Sequence, residues 1–306
     1  RQLDTAGNIK QADMFSYSFR LDTSAAAPSL SLMDDTGSSD SDSITKEATV
    51  NVLGLENEAT WEYRVAAGAW QTGTGTTFEL TEGSFGYRIR QIDLAGNIKQ
   101  DDMRAYNYVL DTSASAPSLS LDTDSGSSSS DGITKEAVVN VSGLENGATW
   151  EYRVNGGEWQ TGSDTSFELT EGSRRYQVRQ LDAAGNQSDP SAEYSYTLDT
   201  QNPNYTGPIT LRINENSTVV TLETSEAVTL AITGGPDEAK FTINENGALV
   251  FREAPDFEAP TDWGRDNYYT VYLTMTDTAG NTLPQTSYPI RVEDVAEPSV
   301  INQNII

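Results

Sequence analysis

Short runs in which apolar and polar residues alternate dominate this chain. In "TVNVL" (49–53) the valines alternate with polar positions, and in "TWEYRV" (60–65) Trp61, Tyr63 and Val65 share one face, with Glu62 and Arg64 on the other. "GYRIRQI" (86–92) sets Tyr87 and Ile89 together and turns Arg88 and Arg90 outward. Gly, Asn and Asp break these runs at short intervals, and no helical periodicity competes with them. The pattern predicts an all-β chain, with strands at 28–32, 44–53 and 60–66, a pair near 69–80, and further strands at 86–92 and 105–110. A Trp in an alternating strand usually buries, so Trp61 and Trp150 are expected as core anchors.

The pattern recurs. "LDTSAAAPSLSL" starts at Leu21 and "LDTSASAPSLSL" at Leu110, and "ITKEATVNVLGLENEATWEYRV" (44–65) returns as "ITKEAVVNVSGLENGATWEYRV" (133–154). Both pairs are 89 residues apart, too long a period for a helical solenoid repeat and suited to a whole sandwich. The expected fold is a tandem series of immunoglobulin-like, Greek-key β-sandwiches in an extended array. The domains are expected at 22–110, 111–199 and 200–298, the last of a different type. On the same register residues 1–21 match 90–110, the last two strands of a preceding repeat, so the chain reads as a fragment of something longer. Residues 299–306 are expected to be a linker or the start of a further domain.

Composition narrows the chemistry. The formal net charge is −27, which argues against nucleic acid and anionic membrane as partners and admits cations, whose binding would relieve self-repulsion. There is no Cys, hence no disulfide staple, and no His, the usual near-neutral base and commonest zinc ligand. No run approaches the ~18 apolar residues of a membrane span. The expected chain is a monomer that does not insert into membranes and carries no catalytic residue.

The acids fall at set places. A turn of the form Asp-x-Ala-Gly-Asn occurs at 4–8, 93–97, 182–186 and 277–281. Ser- and Asp-rich stretches, "DDTGSSDSD" (34–42) and "DTDSGSSSSD" (122–131), align Asp35 with Asp124 and Asp42 with Asp131. In a Greek-key sandwich these stretches should lie at the exit end, beside the linker aspartates Asp111 and Asp199. The next domain's turn should approach with Asp182 and Asn186 at one junction and Asp277 and Asn281 at the other. Asp93 and Asn97 should face back towards Asp22 in the same way. Hard oxygen donors converging at a linker suit Ca²⁺ better than Mg²⁺, which keeps its waters and demands a tighter octahedron. Two plainer readings stand beside this one. The stretches could be solvated loops, and each turn aspartate could simply accept N–H bonds within its own turn, with Gly96 at positive φ. Asp34 and Asp40 face Thr123 and Ser129 in the second repeat and are not among the candidates. The copy at 4–8 is expected to bind little calcium.

"LDTSA.AP", "GLEN.ATWEYRV", "F.L.EG" and "D.AGN" together resemble the bacterial Ig-like repeats of very long calcium-dependent adhesins, the RTX type secreted to the cell surface. Residues 205–298 are similar to a bacterial cadherin-like domain. "INENS" resembles the N-terminal Glu-Asn motif and implies a ligand at Glu215. "PDFE" implies Asp256 and Glu258, "TDTAGN" implies Asp277, and "VEDVAEP", resembling the linker motif, implies Asp294. The early Asp-x-Asp motif is absent, with Thr224, Ser225 and Glu226 near its place. The resemblance implies an extender region of a bacterial surface adhesin, stiffened by Ca²⁺ at its junctions, with neighbouring domains of the same chain as partners. The alternative is a binding module. "APTDWGRDNYY" (259–269) could present Trp263, Tyr268 and Tyr269 to a glycan or protein ligand, or Tyr268 or Tyr269 could start a core strand while Trp263 covers an edge.

Overall fold

A computed structural model of the chain describes residues 2–10, 18–101 and 105–297. The elements are β-strands apart from one short 3₁₀ turn, Glu238–Lys240. By contact the chain divides into two units. One comprises Arg1–Ala114, Glu145–Gly147 and Leu181–Gln187, and the other Ser115–Leu144, Ala148–Gln180 and Ser188–Ile306.

The first unit is built on one sandwich. Ser29–Leu32, Thr49–Leu53 and Thr77–Glu79 form a three-stranded antiparallel sheet. The opposing sheet orders Ile44–Thr45, Tyr106–Leu110, Gly83–Ile92, Thr60–Val65 and Gln71–Thr72, with Ile98–Gln100 also on Gly83–Ile92. The alternation dictates which side chains meet between the sheets: Leu30, Val50, Val52, Trp61, Phe78, Tyr87, Ile89 and Tyr108 are buried in one cluster. Trp61 is the buried anchor its strand predicts, and its indole N–H donates to Gly75 O at 2.9 Å. One expected strand is divided. Residues 44–53 do not run as one: Ile44–Thr45 pairs in parallel with Tyr106–Leu110 and Thr49–Leu53 joins the other sheet. The Ser- and Asp-rich stretch is therefore a crossover from sheet to sheet.

Ahead of the sandwich, Gln2–Leu3 pairs with Ile9–Lys10 around the first Asp-x-Ala-Gly-Asn turn. The partner strand expected to follow lies largely in residues outside those described. Residues 18–21 carry no strand, and Phe19 and Leu21 are exposed. Residues 299–306 also lie outside the described set.

The second unit holds two sandwiches. One repeats the same plan, with Ser118–Leu121, Val138–Ser142 and Ser166–Glu168 facing Ile133–Thr134, Tyr194–Leu198, Gly172–Leu181, Thr149–Val154 and Gln160–Thr161. Its core contains Trp150, Tyr176, Val178 and Tyr196. In the last sandwich Leu211–Asn214 runs parallel to Thr282–Glu293, which pairs with Tyr268–Thr276 and through it with Thr229–Gly234. Val219–Val220, Leu249–Phe251 and Phe241–Ile243 form the facing sheet. Phe241, Leu249, Tyr269, Val271, Leu273 and Ile290 fill the space between. No helix among the described residues is long and apolar enough to cross a membrane.

Candidate metal centres

The Asp-x-Ala-Gly-Asn turn is made by its own side chains. In the copy at 93–97, Asp93 N–H donates to Asn97 O at 3.0 Å and Gly96 N–H to Asp93 O at 3.1 Å. The carboxylate closes the ring, Oδ1 accepting from Asn97 N–H at 2.7 Å and Oδ2 from the Asn97 amide at 2.8 Å. The same bonds recur at Asp182–Asn186, Asp277–Asn281 and Asp4–Asn8. The plainer reading of the aspartate therefore holds at every copy, because even the exposed turn at Asp4 closes this way. These donors hold Asp93 and Asp4 ionised below the usual carboxylate range, led in both by the Asn amide.

Three copies do more than close a turn. Each buries its aspartate, and each gathers two further carboxylates. Asp22, Glu56 and Asp93 form one group, Asp111, Glu145 and Asp182 a second, and Asp199, Glu226 and Asp277 a third; within each, one oxygen from every member lies within 4.8 Å of the others. The formula is constant: a linker Asp, a loop Glu and a turn Asp. The turn Asn ties the linker in place, its amide donating to the backbone O of Asp22 at 3.2 Å, of Asp111 at 2.7 Å and of Asp199 at 2.8 Å. Among the described residues Asp4 belongs to no such group.

The loop glutamates Glu56 and Glu145 were missed in the sequence. "GLEN" repeats at the 89-residue offset, but a Glu beside a strand looks like an ordinary solvated residue. The Glu56 carboxylate accepts from Ala26 N–H, and its backbone is held by Gln91, two residues before the turn aspartate and fully buried. Gln91 Oε1 accepts from Glu56 N–H at 2.9 Å, and its amide donates to Ala26 O at 2.7 Å and Gly54 O at 3.2 Å. Gln180, also buried, spans Ser115 O and Gly143 O at 2.6 and 3.3 Å. The last sandwich has Met275 at the corresponding place, inside its core. Glu226 stands near the expected position of the missing Asp-x-Asp motif, beside Thr224, whose hydroxyl donates to Glu226 O at 2.6 Å.

A fourth group joins Glu215, Glu258 and Glu297. Glu215 is buried and accepts from Phe257 N–H at 3.0 Å and Val295 N–H at 2.8 Å, which lower its pKa. Glu258 is pushed up, first by desolvation and then by the charges of Glu215, Asp294 and Asp256. Asp256 and Asp294 stand outside the group, and Asp256 instead accepts from Glu258 and Ala259 N–H.

The Ser- and Asp-rich crossovers meet the following Asp-x-Ala-Gly-Asn turn, and their Asp35, Asp42, Asp124 and Asp131 lie outside the groups of three carboxylates. Each carboxylate gives one oxygen to an N–H of its own loop, while the other oxygen of Asp35 and of Asp124, Oδ1 in both, is buried without a hydrogen-bond partner. Asp35 accepts from Ser43 N–H at 3.1 Å, Asp42 from Ile44 N–H, Asp124 from Gly132 N–H and Asp131 from Ile133 N–H, each of the last three at 3.0 Å. A short acidic side chain in a tight loop finds local N–H groups before distant partners. Of the two readings of the 259–269 loop, edge cover by Trp263 fails: at 82% exposure it covers no edge. Its backbone N–H is held by the buried Asp237 carboxylate, and Asp262 ties the loop through Asp266 and Asn267 N–H, so the turn is pinned while the indole stands clear. Tyr268 begins the following strand and is exposed, whereas Tyr269, its second residue, is buried.

The donor sets are chemically suited to a hard divalent cation. They are carboxylate oxygens, without Cys or His. An ion centred among three equidistant oxygens 4.8 Å apart would lie about 2.8 Å from each, so a small inward movement reaches the Ca²⁺–oxygen range of about 2.3–2.6 Å. Crowded carboxylates otherwise repel. Glu226 is pushed up by burial and then by the charges of Asp199 and Asp277, and a bound cation would reverse the latter effect.

No protein-family model matches the chain, and no curated protein matches it. Among solved structures it is similar to the human desmocollin-1 ectodomain, at 12% identity over 91% of this chain and 62% of that one, with a TM-score of 0.32. It is also similar to Drosophila N-cadherin EC1-3, at 16% identity over 79% and 92% of the two chains and a TM-score of 0.24. The fibronectin(III)-like modules of Clostridium thermocellum CbhA align at 9% identity over 56% and 94%, with a TM-score of 0.28. The all-β sandwich fold itself stands on the sheets and registers described above.

Proposed function

We propose that this chain is an extender region of a bacterial cell-surface adhesin, in which Ca²⁺ bound at the linkers stiffens a row of sandwiches that carries distal ligand-binding modules. The observation that carries the reading is the threefold recurrence of linker Asp, loop Glu and buried turn Asp within 4.8 Å of one another. Two of the three groups come from repeats 89 residues apart, and the third is rebuilt in a sandwich of different sequence. An acidic surface does not by itself assemble one arrangement three times. A cation in each group would tie the linker to a loop and a turn of the sandwich that follows, removing the linker's freedom. The work is coordination, and no catalytic step is needed. The protein acts outside the cell, as a monomer whose partners are neighbouring domains of its own chain.

Calorimetry with added Ca²⁺, beside small-angle scattering with and without EDTA, tests this. Uptake at several sites with a longer particle in calcium is expected, and Glu145→Gln should remove or weaken one site while leaving the others. No uptake and unchanged dimensions would sink the proposal.

A second reading rests on Trp263. An indole exposed on a pinned loop of the last sandwich is suited to stack on a sugar or grip a peptide, which would make that sandwich a binding module.

A further inference from the structure

Two of the Asp-x-Ala-Gly-Asn turns are gripped by a second device that uses no carboxylate. Within the first unit, the crossover loop Thr36-Gly37-Ser38 lies against the turn at 183–185. Thr36 hydroxyl donates to Ala184 O at 2.7 Å, Ser38 N–H to Ala183 O at 3.2 Å, and Lys46 Nζ to Gly185 O at 2.9 Å. Within the second unit, Ser125-Gly126-Ser127 treats the turn at 278–280 in the same way. Ser125 hydroxyl donates to Ala279 O at 2.7 Å, Ser127 N–H to Thr278 O at 3.2 Å, and Lys135 Nζ to Gly280 O at 2.9 Å. All three carbonyls of each turn are thus taken. The loop glycines sit at φ +96° and +94°, and a Cβ on either would come within 1.9 or 2.0 Å of the turn's first carbonyl oxygen. The hydroxyls are aimed from behind, Thr36 and Ser125 each accepting from the N–H of Lys46 and Lys135 at 2.9 Å. The grip buries the alanine at the centre of the turn: Ala184 is 1% exposed and Ala279 fully buried.

The turn at 94–96 is made by the same internal bonds, but among the described residues no loop grips its carbonyls. Among the described residues no donor reaches the carbonyls of Leu94, Ala95 and Gly96, Leu94 is 77% exposed, and a Cβ on Gly96 would meet open space. We infer that this face is a docking socket for another sandwich of the same repeat type, one bearing a Thr/Ser-Gly-Ser loop and its lysine. The occupant is specified by the two seated examples. Three carbonyls at fixed spacing call for a hydroxyl, a backbone N–H and an ammonium, delivered by a loop whose glycine lets the backbones touch. Both such loops in this chain are already engaged, so the occupant is a further repeat. Because no carboxylate takes part, docking does not depend on a divalent ion and does not rest on the calcium reading.

The chain has no Cys, which makes a thiol probe clean. Ala95→Cys in the full chain should react rapidly with a disulfide reagent, whereas Ala184→Cys should react slowly. A copy of residues 22–110 inserted between Leu21 and Asp22 keeps the Leu-Asp junction and brings a free loop ahead of the socket. It should slow the reaction at position 95 by at least about tenfold, in calcium and in EDTA alike. Gly37→Val within the inserted copy should restore fast reaction. Lys46→Ala in that copy alters only an exposed side chain, so it should weaken protection even if the glycine variant misfolds. Unchanged reactivity, protection confined to calcium, or protection that survives both variants would each overturn the socket.

Discussion

Replacing Gln91 with Met tests how the first candidate centre is positioned. The side chain is fully buried and similar in length to Met, so the change removes hydrogen bonds and opens little space. Three bonds go: Ala26 O at 2.7 Å, Glu56 N–H at 2.9 Å and Gly54 O at 3.2 Å, the last near the limit of useful geometry. Each buried group left unpaired costs about 1–3 kcal/mol, and the apolar replacement offsets part by avoiding burial of an amide, giving a net loss of about 3 kcal/mol. For a sandwich of this size that lowers the midpoint by roughly 12–24 °C. Glu56 would lose the bond that holds its backbone while its carboxylate still accepts from Ala26 N–H, and losing a partner that orients a ligand typically costs ~10–100-fold in metal affinity. Differential scanning calorimetry in EDTA reads the first effect, and calcium titration at a temperature where the variant is folded reads the second. A transition displaced by less than ~2 °C would refute the reasoning, since at about 4 °C or more per kcal/mol it would leave the carboxamide contributing almost nothing. An early transition with unchanged calcium affinity would confine Gln91 to stability and separate it from the centre.

Other expectations follow from the same geometry. Burial, then Tyr106 and Asp35, pushes the Tyr108 phenol up to about 12, and burial, then Tyr194 and Asp124, does the same to Tyr196. The folded state therefore holds these protons more tightly than the unfolded chain. Stability from them is complete below pH ~10 and falls as pH rises towards 12, by about 1.4 kcal/mol per pH unit for each tyrosine; urea titrations across that window should show it, and a Tyr108→Phe, Tyr196→Phe double variant should flatten it. Glu226→Gln should raise the melting temperature of the last sandwich in EDTA, by relieving repulsion from Asp199 and Asp277, and lower it in calcium; the same sign in both buffers would refute a cation there. Asp4→Ala should leave the number of calcium ions taken up unchanged, because that turn gathers no further carboxylate among the described residues. Trp263→Ala should alter stability by less than about 0.5 kcal/mol, since the indole is exposed, so any loss of glycan or peptide binding would report recognition.

Alternation alone determined that this chain is all-β, and the 89-residue period fixed which segments are equivalent, because a strand's period of two sorts its faces wherever it packs. Trp61, Tyr87, Val139 and Ile290 lie where that sorting puts them. The linker and turn aspartates were legible too, since a carboxylate recurring at one register stands out in sequence. Tertiary structure decided which acids share a group. Glu56 reaches Asp93 because buried Gln91 holds its loop, a link across 35 residues that no local pattern encodes. The acids of the Ser-rich crossovers, the most conspicuous in sequence, lie outside these groups, and Asp35 and Asp42 each give one oxygen to an N–H of their own loop. Beside them the unremarked Thr36-Gly37-Ser38, with no charge to draw the eye, makes the contact with the following turn. Charge density is visible in sequence, but coordination depends on where side chains point, and that direction is set by backbone turns and buried partners far away along the chain.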